Sequence, residues 1–281
     1  MMRQVAIGLL ALASAATAAS AQTKAAIERG KYLVDTVMTC HNCHTPRGPN
    51  GPQFDKAFSG GLRFDEAPFD VTASNITSDR ETGMGSWSEA DIKKLMTTGM
   101  RPNGVPVAQV MPTAFYKVLT PGDLDAIAAY VHSLPPVKNQ VPAPVYKIAL
   151  PPMEVPNASK PMREADLRDK VKRGFYLVTI AHCMECHTPM GAKGRDFTRM
   201  GSGGFEFKGP WGVSVSRNIT SHKDKGIGAW SDDEIKRAIT QGARRDGTKL
   251  KPPMGYAYYG KMTAQDLDAI VAYLRTMPAR E

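Results

Sequence analysis

Two five-residue stretches concentrate the reactive side chains of this chain. Cys40-His41-Asn42-Cys43-His44 and Cys183-Met184-Glu185-Cys186-His187 hold all four cysteines, and a histidine follows each pair directly. Two thiols at i and i+3 can form thioethers to the two vinyl groups of one porphyrin, while the adjacent imidazole points at its iron. Cys-x-x-Cys-His is the attachment signature of c-type haem. The rival chemistries fit less well. A four-cysteine zinc site places its two pairs a dozen or two residues apart, whereas 139 residues, His44 to His182, separate these. A thioredoxin-type redox pair needs a βαβ context that the sequence lacks. Neither alternative, nor a disulfide across two residues, explains a histidine after both pairs. The expected cofactors are two covalently bound haems, held by Cys40, Cys43 and His44 and by Cys183, Cys186 and His187.

The sixth iron ligand decides between closed and open coordination. A methionine opposite the histidine saturates the iron and raises its potential. The chain has 15 methionines, so a filter is needed, and the motifs supply one through their offset of 143. Under that offset Met84, Met96, Met100 and Met262 fall on other residue types, whereas Met111 falls on Met254. Each lies 67 residues after its histidine, in a loop before the last helical pattern. His44 with Met111, and His187 with Met254, are therefore the expected axial pairs.

The elements that position these residues are also written twice. The offset maps Gly60-Gly61 onto Gly203-Gly204, Asn75-Ile76-Thr77 onto Asn218-Ile219-Thr220, Trp87-Ser88 onto Trp230-Ser231, and Asp123-Leu124-Asp125-Ala126-Ile127 onto Asp266-Leu267-Asp268-Ala269-Ile270. Upstream of the first cysteine the register slips by one, because Gly30-Lys31-Tyr32-Leu33 matches Gly174-Phe175-Tyr176-Leu177. Ser88-Glu89-Ala90-Asp91 and Ser231-Asp232-Asp233-Glu234 read as capping boxes opening helices toward Gly99 and Gly242. Thr120 and Thr263 open a last helix in each copy, with Leu124, Ile127 and Val131, and Leu267, Ile270 and Leu274, on one buried face. Eight prolines between Pro135 and Pro161 exclude a helix and suggest an extended strap. The expected fold is all-α, with one unit at 22–137, a Pro-rich linker at 138–165 and a second unit at 166–281.

Residues 1–21 read as a secretory signal: Arg3, a short apolar core from Val5 to Leu12, and Ala19-Ser20-Ala21 as the cleavage site. Of the 281 residues, 42% are hydrophobic and 22% charged, which excludes a disordered chain, collagen and a coiled coil. No later apolar run is long enough for a membrane span, so a protein that is exported and soluble, or held at a membrane only through a partner, is expected. The net charge of +9 is uneven. Residues 22–140 carry 12 basic and 12 acidic side chains, and residues 166–281 carry 20 and 13. A docking face for an acidic partner and simple solubility both account for that excess. His41, His132, His182 and His222 are expected at the surface. The paired Gly-rich stretches lack the Lys-Ser/Thr of a phosphate loop. The Asn-Ile-Thr turns are expected to shape the haem pockets, and Trp87 and Trp230 to pack on haem or core.

Each half resembles a class I c-type cytochrome domain, over residues 24–135 and 167–278, and the pair resembles a diheme cytochrome c. Asn-Ile-Thr, the runs Gly83-Met84-Gly85-Ser86-Trp87-Ser88 and Gly226-Ile227-Gly228-Ala229-Trp230-Ser231, and Met111-Pro112 are similar to the cytochrome subunits of bacterial periplasmic dehydrogenases. The resemblance implies a periplasmic electron carrier, not an enzyme. Such a carrier takes single electrons from a partner dehydrogenase and passes them to an oxidase or another cytochrome. Nucleic acid is not an expected partner. Several such subunits carry three haems and a membrane anchor, where this chain has two motifs, and Gly255 stands where the first copy has Pro112. The alternative is a diheme peroxidase-like oxidoreductase, which needs one displaceable sixth ligand; the two matched methionines argue against it.

Overall fold

A computed structural model describes residues 23–192, 194–209 and 212–281; the secretory signal expected at 1–21 lies outside them. In the first copy, helix α1 (residues 23–32) leads through a π-helical turn at Leu33–Val37 into α2 (His41–His44), which carries the first motif. Two hairpins follow, β1 (Arg47–Gly48) with β2 (Gly51–Pro52), and β3 (Arg63–Glu66) with β4 (Phe69–Thr72). Helix α3 (Glu89–Thr98) is opened by a capping box in which Ser88 and Asp91 each accept from the other's backbone N–H, and it stops at left-handed Gly99. A single turn, α4 (Thr113–Tyr116), precedes α5 (Pro121–Ser133), which Thr120 caps and Pro121 starts. Strand β5 (Val145–Tyr146) comes from the proline-rich segment.

The second copy repeats the order. It runs α6 (Lys170–Ile180), α7 (Cys183–Cys186), the hairpin β6 (Met190–Gly191) with β7 (Gly194–Arg195), the hairpin β8 (Glu206–Gly209) with β9 (Gly212–Val215), α8 (Asp232–Gln241), α9 (Tyr256–Tyr259) and α10 (Ala264–Thr276). Ser231 and Glu234 form the capping box of α8. The one-residue register slip has a local cause. The first copy has one more residue than the second between its matched glycine and its first cysteine, and the π-helical turn absorbs it through Met38 N–H to Leu33 O at 2.8 Å.

The strands correct the all-α expectation. Of the described residues 39% are helical and 12% lie in strands, gathered in four small sheets. Each strand is two to four residues long, too short for an alternating pattern to show in the sequence. Their cause is the loop chemistry: left-handed Gly51 and Gly194 turn the tight hairpins. Phe64, Phe69 and Val71 of β3 and β4 close a small apolar cluster with Ala108 and Val110.

The helices meet closely. A Cβ added at Gly30 would lie 2.0 Å from Ala126 O, and one at Gly174 would lie 2.0 Å from Ala269 O. Only glycine lets α1 cross α5, and α6 cross α10, at that distance. One continuous core joins both copies, including Leu33, Val37, Phe115 and Ile127 with Tyr176, Leu177, Ile180 and Ile270.

Contacts between the copies are exchanged in pairs. Tyr32 on α1 donates to Asp266 Oδ2 at 2.5 Å, and Tyr176 on α6 donates to Asp123 Oδ2 at 2.5 Å. Arg29 holds the other side of Asp123 at 2.8 Å, and Arg173 the other side of Asp266 at 2.6 Å. The proline-rich segment does not stand off from the fold. Val137 O accepts from Asn75 Nδ2, β5 pairs with β4, Gln109 donates to Pro151 O, and Val155 and Ala158 are buried in the core.

Candidate functional site

Both motifs sit where a helix end meets a left-handed residue. Thr39 (φ 50°) and His182 (φ 43°) turn the chain so that Cys40 and Cys183 begin the short helices α2 and α7. The four cysteines are unpaired. Burial pushes the Cys40 and Cys183 thiols up to about 12; burial and then the Glu185 carboxylate push Cys43 to the same value, and Cys186 is raised as well. Neutral thiols of this kind are poor thiolate metal ligands and slow redox pairs at neutral pH. Among the described residues no three His, Cys, Asp or Glu side chains are grouped to hold a bare metal ion.

The histidines after the motifs are anchored alike. His44 Nδ1 lies 2.7 Å from Ser74 O, and His187 Nδ1 lies 2.6 Å from Arg217 O. A carbonyl only accepts, so Nδ1 carries the proton and Nε2 keeps its lone pair. Burial lowers the pKa of both imidazoles, which keeps them neutral. The backbone closes the same loop from the other side: Gly60 N–H donates to His44 O at 2.7 Å, and Gly203 N–H to His187 O at 2.9 Å. Gly60 (φ 81°) and Gly203 (φ 77°) can do this because a Cβ there would lie 2.3 Å and 2.5 Å from opposing backbone.

The Asn-Ile-Thr turns support these anchors. Asn75 follows Ser74, its Oδ1 accepts from Thr77 N and Oγ1, and its Nδ2 holds the segment beyond α5 through Val137 O at 2.7 Å. Asn218 follows Arg217, makes the same turn with Thr220, and donates to Arg280 O at 2.7 Å. Trp87 and Trp230 pack on the core, and their carbonyls are bonded by unlike residues at matched positions, His132 Nε2 at 2.9 Å and Arg275 Nη2 at 2.5 Å.

Met111 and Met254 occupy matched places, each just before the residue that caps a single helical turn, α4 or α9, and each is partly buried against the core. Gly255 brings the second of these loops to the first motif, since a Cβ there would lie 3.3 Å from Thr39 Cγ2 and Asn42 Nδ2. The copies thus bring a methionine loop of one half against the cysteine motif of the other, a contact that no local pattern announces.

Two expectations about histidines are corrected. His41 is buried, not exposed: Nδ1 bonds Thr45 Oγ1 at 2.7 Å, Nε2 lies 3.6 Å from Asp35, and its ring stacks on Phe58 with centroids 3.9 Å apart. A mid-motif position faces inward here because Phe58 and Asp35 wait beneath it. His182, His132 and His222 are partly buried and bonded, His182 to Glu185 at 3.0 Å and His222 to Glu281 at 3.6 Å. Met184 stands where the first copy has His41, and Thr188 Oγ1 consequently lacks the partner that Thr45 has.

The family model for cytochrome c matches residues 171–278. Over 298 aligned residues the chain is 30% identical to the cytochrome c subunit of a quinone-dependent alcohol dehydrogenase from Gluconobacter oxydans, covering 98% of this chain and 59% of that protein. It is 28% identical to the gluconate 2-dehydrogenase cytochrome c subunit of Pantoea cypripedii, covering all of this chain and 66% of that protein. It is 29% identical to a diheme cytochrome c-type protein of Cereibacter sphaeroides, with 79% of this chain and 77% of that protein covered. The chain spans about three-fifths of the length of the first two relatives.

A cytochrome c domain implies a covalently held haem c, and the residues present fit one. The motifs offer unpaired thiols in twos, each beside an imidazole whose Nε2 is spared by a bond at Nδ1. Arg195 Nε and Ser202 Oγ, in the loop after the second motif, are buried without partners, and suit the polar edge of such a group. Residues 171–278 thus match the cytochrome c family, and the chain as a whole is similar to the cytochrome c subunits of bacterial dehydrogenases and to a diheme c-type cytochrome.

Proposed function

We propose that the chain is a periplasmic diheme cytochrome that accepts single electrons from a partner dehydrogenase and passes them to a downstream acceptor, without substrate chemistry of its own. In this reading residues 22–137 and 166–281 are two cytochrome c units joined by 138–165. Cys40 and Cys43 would attach one haem and Cys183 and Cys186 the other, and His44 with Met111, and His187 with Met254, would be the residues that hold the two irons. The observation that carries it is the duplicated anchor, an imidazole fixed through Nδ1 to a backbone carbonyl directly after two unpaired thiols. Haem c, when bound, supplies a one-electron iron couple. The chain's residues do the rest. Ser74 and Arg217 fix the imidazole rotation, and Gly60 and Gly203 pin the backbone behind it. The dehydrogenase is proposed as donor because the relatives named above are dehydrogenase subunits.

Pyridine haemochrome analysis with intact mass on the exported protein tests the reading. Two haems per chain are expected, falling to one in Cys183→Ala/Cys186→Ala; one or none in the parent overturns it. Met111→Ala and Met254→Ala should each remove part of the thioether-to-iron absorption band, and an undiminished band overturns that ligand.

A further inference from the structure

Internal symmetry allows one surface to be compared with itself. In each copy a short hairpin leads from the end of the third-from-last helix to the methionine loop. Its backbone is the same twice: Met100 bridges Pro106 with Val107 N–H on Gly99 O at 2.8 Å, and Ala243 bridges Lys249 with Leu250 N–H on Gly242 O at 2.7 Å. The surroundings differ. In the first copy the proline-rich segment lies over this hairpin, where Tyr146 Oη donates to Pro106 O, Gln109 donates to Pro151 O at 2.5 Å, and Ala108 is buried. In the second copy Lys249 replaces Pro106, Lys251 replaces Ala108 and Pro252 replaces Gln109, and residues 245–249 and 251–253 are exposed. Arg244, Arg245, Lys249 and Lys251 face one acid in the hairpin, Asp246, which Thr248 and Arg244 hold ionised, and one on α8, Glu234, which pairs with Arg245 at 3.3 Å. Among the described residues Arg244, Lys249 and Lys251 have no ion-pair partner.

Resting on the electron-transfer reading above, we infer that the hairpin at 242–253 is where the chain exchanges electrons with other proteins, and that it docks an acidic face of a redox partner. The uncovered hairpin ends at Met254, so a partner seated on it stands next to the proposed second centre, while the first centre's equivalent flank is closed by the chain itself. Charge of this kind concentrates an oppositely charged partner and speeds encounter. A lipid surface is disfavoured because no large hydrophobic side chain is exposed in the hairpin to insert into it.

The test uses the haem-loaded full chain. Reduced protein is mixed in a stopped-flow instrument with hexacyanoferrate(III), which takes one electron and becomes hexacyanoferrate(II). At low ionic strength Lys249→Glu/Lys251→Glu should slow this reaction about tenfold and flatten its salt dependence. Lys94→Glu/Lys160→Glu, with the same change in net charge, should leave it within about twofold. Equal slowing by both variants, or by neither, overturns the inference while leaving a two-haem count, and with it the electron-transfer reading, intact. Binding is read separately, and independently of haem content, by amide shifts on titration with polyglutamate. Shifts confined to 242–254 support the docking face, and shifts elsewhere refute it. Sedimentation of the parent, but not of the Lys249/Lys251 variant, with phosphatidylserine vesicles at physiological salt would assign the face to anionic lipid instead.

Discussion

Tyr32→Phe and Tyr176→Phe should each weaken the whole molecule by acting on the copy they do not belong to. Each removes one hydroxyl and little volume. Tyr32 Oη donates at 2.5 Å to Asp266, a carboxylate only 1% exposed, and Tyr176 Oη donates at 2.5 Å to Asp123, which is 7% exposed. A hydrogen bond to a charged group contributes about 1.5–3 kcal/mol, and the carboxylate left behind cannot turn to water. About 2 kcal/mol per substitution corresponds to a roughly 30-fold shift in the unfolding equilibrium and a midpoint lowered by about 4–8 °C for a chain of this size. Burial and the Asp266 bond raise the Tyr32 phenol to about 12, so the donor stays protonated and the effect should be flat from neutral pH to about 10. Urea titration of the haem-loaded protein measures the loss. Amide exchange locates it, because Tyr32→Phe should speed exchange at the start of α10, 231 residues away at Thr263. A loss under about 0.5 kcal/mol for either variant, or exchange altered only around α1, would refute the reasoning.

Three further outcomes follow from the same contacts. Gly174→Ala puts a Cβ 2.0 Å from Ala269 O and 2.7 Å from Tyr273 Cβ, so α6 and α10 must part; thermal denaturation should show a loss of about 3 kcal/mol or more, and a smaller loss would mean that the crossing is not tight. Asn75→Ala and Asn218→Ala each free a segment end and unmake the turn beside a histidine anchor; each should cost about 1–3 kcal/mol by urea titration and broaden the resonances of the adjoining imidazole. Asp35 is pushed up by burial, but bonds from His41 and Lys31, with Tyr130 adding to them, outweigh this and leave its pKa lowered. A lowered folded pKa supplies stability above the unfolded value of about 4 and loses it as pH falls through the folded one. Acid titration of Asp35→Asn should therefore differ from the parent near neutrality and converge on it at the lowest pH, and a constant difference would refute the assignment.

What was legible in the sequence was local or repeated. The capping boxes at Ser88 and Ser231, the stops at Gly99 and Gly242, and the starts at Thr120 and Thr263 all involve residues a few positions apart, and each is present in the structure. The motifs and the matched methionines were found because duplication marks shared positions. The hairpins were missed because two to four residues carry no readable period. The anchors of His44 and His187 are backbone carbonyls 30 residues on, and a carbonyl belongs to every residue type, so no sequence signal could name them. His41 was misplaced because its environment comes from Asp35 and Phe58, which no motif rule includes. The register slip, in contrast, was visible as an arithmetic mismatch and turned out to be one inserted residue stored as a wide helical turn.

The exchange of tyrosines between the copies has a consequence for how such a chain could arise. Tyr32 reaching Asp266 while Tyr176 reaches Asp123 is the pattern of an isologous interface, in which one patch meets its own image across a two-fold axis. Either copy alone carries both the phenol and the carboxylate, and so is already complementary to a second molecule of itself. The tandem chain is then a dimer made covalent. In one chain that pairing no longer depends on concentration, and matched positions are free to differ, as His132 and Arg275 do around the matched tryptophan carbonyls.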